Sequence, residues 1–492
     1  MPAVMHIDRS ADTPIYRQIA EQFKEEIASG RMPAGARLPT VRHLAAQLGV
    51  TRLTIQNAYA ELQSSGWIEA TVGRGTFVSS QVQVRPRWAS AGPVATPAAV
   101  MGDILEMGQA QGMRSMASAS PDPALFPADE FWDCLAEQRQ AVMAVAGYAP
   151  AQGDPGLRVE VADLLRDRGI DVTPDEILIT SGVTQGLALL AQSLAQPGDT
   201  ILAESPTYVG FLHQIRTYGL RPVGVPLDEE GPVLEAVEQQ VARQRIRFFY
   251  TIPTFQNPTG YCMSPARRAQ LLDLAGRYGF YLVEDDLYGC VAYDKPAPAT
   301  LWSMDQHDQV IYLSSFSKTL MPGLRLGYMI APRPLREQLV SLRLAADLGS
   351  PLLLQRTLAA FLHRGGFRKH LRRILPICRE RRDVTLRTLE TSMPREVTWT
   401  EPQGGLCCWL TFPDSPGLRD IYRRALERGW AFAPGHVFLP QPDETPHLRL
   451  CFGSLPPESL RRGIITLGQI VRERMAVDSG EPAPAVDWTP LV

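Results

Sequence analysis

Residues 314–328 read SSFSKTLMPGLRLGY, and the apolar run VIYLS (310–314) leads into them. A short run of this composition predicts a buried strand. A lysine that follows a strand and a serine-rich turn sits at a sheet edge, where its amine can form a Schiff base with an aldehyde cofactor. That lysine is Lys318. Ser315 and Arg325 flank it and suit a phosphate, because the planar guanidinium makes paired bonds to phosphate oxygens.

Working outward, further strands are expected at EILIT (176–180), TILAE (200–204), RFFYT (247–251) and FYLVED (280–285). Helix patterns lie between them, such as TQGLALLAQSLA (184–195) and PARRAQLLDLAGRYG (265–279). Such alternation predicts an α/β body with a mainly parallel sheet covered on both faces. A smaller α+β domain is expected after about Leu375. Several strand ends carry groups that a phosphorylated pyridine aldehyde needs. Gly182, Val183 and Thr184 open a helix whose free N–H groups form an anion site. Tyr208 offers a ring to stack on the pyridine. Asn257, in TFQNPTG, can donate to a phenolic oxygen, and Tyr288 can reach that oxygen from the other side. Asp285 can pair with the protonated ring nitrogen, which keeps the ring an electron sink. Singly, each residue also has a plain structural reading: a strand-end hydrogen bond, a packed ring, a turn glycine, a surface lysine. Their order along the chain is what makes chance improbable.

Together these residues resemble the fold-type I enzymes that use pyridoxal 5'-phosphate (PLP), specifically the class I/II aminotransferases, over about residues 115–470. The resemblance implies PLP as cofactor, with Asn257, Asp285, Tyr288 and Lys318 in the roles just given. It also implies that Arg449, in HLRLCFG, binds the carboxylate of the substrate or effector. Tyr148, in GYAPAQGDPGLR, matches a tyrosine that reaches the cofactor phosphate of a partner subunit, which implies a homodimer with shared sites.

The N-terminal segment has a different pattern. IYRQIAEQFKEEIASG predicts a helix ending at Gly30, VRHLAAQLG a short one stopped by Gly49, and RLTIQNAYAELQSSG a third. Two short helices separated by Gly-Val-Thr make a helix-turn-helix signal, with the third helix as reader. WIEATVGRGTFVS then predicts a hairpin wing around Gly73-Arg74-Gly75. Arg42, Thr51, Arg52, Thr54, Asn57 and Arg74 are the candidate DNA contacts; Arg17 and Lys24 read as solvated helix charges. The text GARLPTVRHLAAQLGVTRLTIQNAYAELQSSGWIEATVGRGTFV resembles the winged helix-turn-helix of GntR-type regulators. One departure, Thr51-Arg52-Leu53-Thr54-Ile55 for Ser-Arg-x-Thr-Val, leaves the fold reading intact and blurs the base preference.

The boundaries expected are 1–80 for this domain, 81–112 for a Pro- and Ala-rich linker, 113–476 for the body and 477–492 for a loose tail. The combination resembles the MocR/GabR regulators. That resemblance implies a homodimer that binds double-stranded operator DNA and senses an amino acid or amine, or PLP itself. A working aminotransferase carrying a DNA-binding appendage is the chief alternative. A PLP-binding scaffold without DNA function leaves the GRGTFV wing unexplained.

Length and composition agree. The 492 residues are too many for one ordinary domain, and a net charge of -3 argues against one large basic nucleic-acid binder. The seven cysteines form no Cys-x-x-Cys pair, so neither a metal site nor a disulfide framework is expected. Cys407 and Cys408, in GGLCCWL, read as buried strand residues. No signal peptide or membrane span is evident, and a cytoplasmic location is expected.

Overall fold

The computed structural model describes residues 14–28, 32, 35–64, 67–71, 75–79, 113–141, 143, 146–413, 417–441 and 447–479. The chain divides into two units, Met1–Ser90 and Ala91–Val492. The linker expected at 81–112, the wing-tip Arg74 and tail residues 480–492 lie outside the described residues.

In the first unit, α1 (Ile15–Ala28), α2 (Val41–Leu48) and α3 (Arg52–Ser64) follow the sequence punctuation. Thr40 caps α2, its hydroxyl accepting from the His43 N–H at 3.3 Å. Gly49 ends α2 at φ +63°, a left-handed conformation that a Cβ disfavours. The Thr51 hydroxyl accepts from the Thr54 N–H at 3.2 Å and starts α3. The antiparallel strands β1 (Ile68–Thr71) and β2 (Gly75–Val78) make the wing. Phe23, Leu44, Ile55, Tyr59, Leu62 and Val78 form a common core. The Tyr59 hydroxyl donates to Pro39 O at 2.7 Å and ties α3 to the start of α2.

In the second unit the first described strand is the short β3 (Arg114–Ser115). Its main sheet contains β4 (Ile177–Thr180), β5 (Thr200–Ser205), β6 (Arg221–Asp228), β7 (Gly231–Pro232), β8 (Phe248–Thr251), β9 (Tyr281–Asp285), β10 (Val310–Ser315) and β11 (Gly327–Ile330). Their order is β4-β11-β10-β9-β8-β5-β6-β7. Strands β6, β5, β8, β9 and β10 are mutually parallel; β11 runs antiparallel between β10 and β4 and so restores β4 to the common direction. Side chains alternate between two cores. Leu202, Phe249, Leu282 and Val310 share one, while Ala203, Tyr250, Val283 and Ile311 share the other. Burial on both faces explains why these strands read as unbroken apolar runs.

A second sheet contains β12 (Thr398–Trp399), β13 (Cys407–Thr411), β15 (Ala433–Pro434) and β16 (His447–Cys451), in the order β12-β13-β16-β15, while β14 (Trp430–Ala431) pairs in parallel with β3. The smaller domain therefore includes residues 114–115 from the opposite end of the body. Its long helix, Gly366–Ser392, begins before the boundary expected near Leu375. A two-residue strand has no periodicity to read, so its pairing is visible only in three dimensions. The last helix, Pro457–Ser479, passes the tail boundary expected at 477. Among the described residues no helix is long and apolar enough to cross a membrane.

Candidate functional site

Parallel strands end at one edge of a sheet, and the crevice beyond that edge is where open α/β sheets bind ligands. Here the residues after β4, β5, β8, β9 and β10 enclose a cavity of about 600 Å³. β4 runs through Ser181 into Gly182 at φ +92°, and the helix Val183–Leu194 starts there. A Cβ on Gly182 would lie 3.1 Å from the Arg325 guanidinium. Val183 and Thr184 line the cavity with N–H groups that have no carbonyl one turn earlier, at the positive end of the helix dipole. Arg325 holds φ +51°, a strained conformation for a residue with a Cβ, and its guanidinium donates to Ser181 O at 2.9 Å. Ser315 ends β10 and accepts from the Ser317 N–H at 3.2 Å. Helix start, guanidinium and the Ser315 hydroxyl make an anion cradle.

The other wall holds the acid and the amine. Asp285 ends β9 and is buried; its Oδ2 accepts from the Tyr250 hydroxyl at 2.7 Å. Its Oδ1 is buried and accepts no well-formed hydrogen bond among the described residues, although the Leu287 N–H lies close enough to favour the charged form. Burial lifts this carboxyl to about 7. The Tyr288 hydroxyl is likewise buried without a partner among the described residues, and burial raises it well above the usual phenol range. Lys318 is brought down to about 8, first by burial and then by Arg449 and Arg325. An orphaned carboxylate oxygen, an orphaned phenol, a partly neutral amine and an anion cradle in one cavity fit PLP.

Arg449 projects from β16 and is buried. It donates to Asn257 Oδ1 at 2.7 Å and to Ala117 O, and its guanidinium lies 4.5 Å over the Phe438 ring. The Asn257 amide keeps its NH₂ to donate elsewhere. Tyr208 follows β5 with its ring folded over Gly210, where a Cβ would fall 2.4 Å from the ring. Gly182, Val183, Thr184, Tyr208, Asn257, Asp285, Tyr288, Ser315, Lys318, Arg325 and Arg449 thus all line one cavity. Tyr148 does not; it is 85% exposed on its own chain.

The sequence reading overlooked Ser317 and the stretch Ser118–Ser120 at the cavity wall, and Tyr250 behind Asp285. The Tyr250 contact follows from register, since Tyr250 stands beside Val283 on β9, and no local pattern signals it. On the reading domain, Arg42, Arg52 and Asn57 are exposed. The hydroxyls of Thr51 and Thr54 lie 2.9 Å apart and bond each other, which assigns them first to the start of α3.

Residues 124–467 match the family model for aminotransferases of class I and II, and residues 15–78 the model for bacterial regulatory proteins of the gntR family. The uncharacterized HTH-type transcriptional regulator YdfD of Bacillus subtilis is 30% identical over 94% of this chain and 97% of its own length. The probable rhizopine catabolism regulatory protein MocR of Rhizobium meliloti is 29% identical over 94% of each chain. Among solved structures, the α-aminoadipate aminotransferase LysN of Thermus thermophilus, complexed with N-(5'-phosphopyridoxyl)-L-leucine, superposes with a TM-score of 0.72 at 33% identity, covering 80% of this chain and 98% of that one. The two family matches follow one another along one polypeptide, and each falls on the unit whose fold it describes. The chain belongs to the class I and II aminotransferase family, with a GntR-family DNA-binding domain fused ahead of the aminotransferase body.

Proposed function

We propose that this chain is a PLP-dependent transcription regulator of the bacterial cytoplasm. It reads operator DNA with α3 and the wing, and senses an amino acid or amine in the cavity that holds Lys318. The observation that carries the reading is the fusion itself: a GntR-type reader precedes a body whose cavity keeps its full donor set. When bound, PLP supplies a carbonyl for Lys318 or an incoming amine and an electron-withdrawing ring. The chain's own groups do the rest. Gly182, Val183, Thr184, Ser315 and Arg325 hold the phosphate. Asp285 holds a proton on the ring nitrogen. Asn257 and Tyr288 donate to the phenolic oxygen, and Tyr208 covers the ring. Arg449, already turned toward Asn257, receives an α-carboxylate. The body pairs two chains, and the exposure of Tyr148 supports a contact with the partner's cofactor phosphate. An effector then acts only through unequal affinity for two arrangements of the dimer.

The complete donor set also supports a second reading, an active aminotransferase with a DNA-binding appendage. Titrating DNA with and without a panel of amines, beside an assay for keto-acid release, separates the two. A regulator changes its DNA affinity or footprint with one amine and releases keto acid at most once per site. Repeated turnover with DNA binding indifferent to every amine would overturn the regulator reading.

A further inference from the structure

Behind the cavity wall, Cys407 on β13 and Cys451 on β16 stand directly opposite each other. The adjoining Phe452 N–H donates to Leu406 O at 3.0 Å, whereas the Cys451 N–H goes to Met116 O at 2.8 Å. The two cysteines therefore occupy a non-hydrogen-bonded position, where Cα atoms approach to roughly 4.5 Å. A disulfide accepts Cα separations of about 4.4–6.8 Å. Both residues are buried, and both pack on Ala119, itself a cavity-wall residue. The thiols also hold backbone: Cys407 Sγ donates to Pro258 O at 3.5 Å and Cys451 Sγ to Ala117 O at 3.7 Å. Arg449 rests on these same two segments, through Asn257 and Ala117 O. Against the effect of burial, the Cys407 thiol and the Arg449 and Lys318 cations pull the Cys451 thiol below its usual range. A thiolate is the form that attacks an oxidant.

We propose that Cys407 and Cys451 form a reversible disulfide when a hydroperoxide reaches the cavity, and that this bond loosens the hold of Arg449 on an α-carboxylate. In the first step the Cys451 sulfur attacks the peroxide, giving a sulfenic acid and water. In the second, Cys407 displaces the sulfenic hydroxyl as a second water, and the S–S bond forms. Two thiols lose two hydrogens while one hydrogen peroxide becomes two waters, and an external thiol reverses the change. Oxidation removes both S–H donors and contracts the sulfur pair to about 2.05 Å, so Ala117 and Pro258 lose their ties. Cys408 points to the other face of β13, opposite Leu450, and takes no part. The coupling to Arg449 rests on the effector reading proposed above; the disulfide does not.

The test uses the full-length protein loaded with PLP. Hydrogen peroxide treatment is followed by non-reducing peptide mapping, then by titration of the bound cofactor's visible band with L-alanine and with ethylamine, which lacks the carboxylate. The expected result is a peptide joining Cys407 to Cys451, lighter by two hydrogens. Alanine should bind about two- to tenfold more weakly, the size of one hydrogen bond. Ethylamine binding should not change, and dithiothreitol should restore alanine binding. Cys407→Ser keeps a donor for Pro258 O and should bind alanine equally before and after peroxide. Thiols that stay free, or that join other cysteines, would overturn the disulfide. A joined pair with unchanged alanine binding would overturn the coupling. A band that moves with neither amine would overturn the effector reading and the coupling together, while the peptide map still decides the disulfide.

Discussion

Lys318 and Asp285 illustrate at the residue scale how burial prepares groups for a ligand. Only a neutral amine attacks a carbonyl, and Lys318 is half neutral at about pH 8. The rate at which the cofactor-free protein takes up PLP should therefore rise with pH to a midpoint near 8, followed as growth of visible absorbance in a stopped-flow instrument. A midpoint above 10 would show an ordinary, solvated lysine. Lys318→Ala should abolish borohydride-stable labelling. Asp285 titrates near 7 in the folded chain, above the ordinary carboxyl value of about 3.9. Between those values the folded chain keeps a proton that the unfolded chain has lost, so this group's contribution to stability falls as pH rises. Above 7 the whole penalty remains, on the order of a few kcal/mol. Asp285→Asn should therefore raise the melting temperature of the cofactor-free protein at pH 8, with little change at pH 4, and weaken PLP binding. Equal melting temperatures at both pH values would mean that the carboxylate is already stabilised in the empty site.

Elements carry a different class of constraint. Gly327 opens β11 where a Cβ would lie 2.8 Å from both Gly182 Cα and Ser314 O. Backbone cannot swing aside as a side chain can. Gly327→Ala should push β11 from β10 and widen the phosphate cradle, costing about 1–3 kcal/mol of stability. Thermal unfolding and equilibrium PLP binding should fall together. On α3, cap and reader functions separate along one helix. Thr51→Ala should cost about 0.5–2 kcal/mol of stability through the lost cap and leave base preference alone. Asn57→Ala should alter base preference by about 1–3 kcal/mol at one position. Arg52→Ala should weaken binding across sequences and flatten the salt dependence. Binding assays on a randomised duplex pool at several salt concentrations distinguish the three. Identical profiles would remove α3 as the reading element.

At the scale of the whole molecule, the pairing of bodies proposed above brings two readers to DNA. We expect one dimer to protect two half-sites, direct or inverted, whose centres lie one or more turns of about 34–36 Å apart. The isolated segment 1–80 should bind one half-site weakly and ignore amines, whereas the full chain should respond to them. Footprinting of the intact protein on a single half-site, with the affinity of the isolated segment, would show that pairing contributes nothing to recognition.

What the sequence by itself determined is local chemistry. Thr40 and Gly49 mark the ends of α2, the apolar runs mark β4, β5, β8, β9 and β10, and the order of Gly182, Tyr208, Asn257, Asp285, Lys318, Arg325 and Arg449 marks a cofactor cavity. Caps, turns and strand periodicity depend on neighbours a few residues away, so they can be read from the chain. Tertiary structure decided what register brings together. It set Tyr250 against Asp285, 35 residues on, and Arg449 against Ala117, 332 residues back. It inserted β11 antiparallel between β10 and β4, paired β3 with β14, and faced Cys407 with Cys451. A shift of one residue in any of these strands would turn every such side chain to the opposite face, and no short-range pattern in the chain records which pairing the packed core selects.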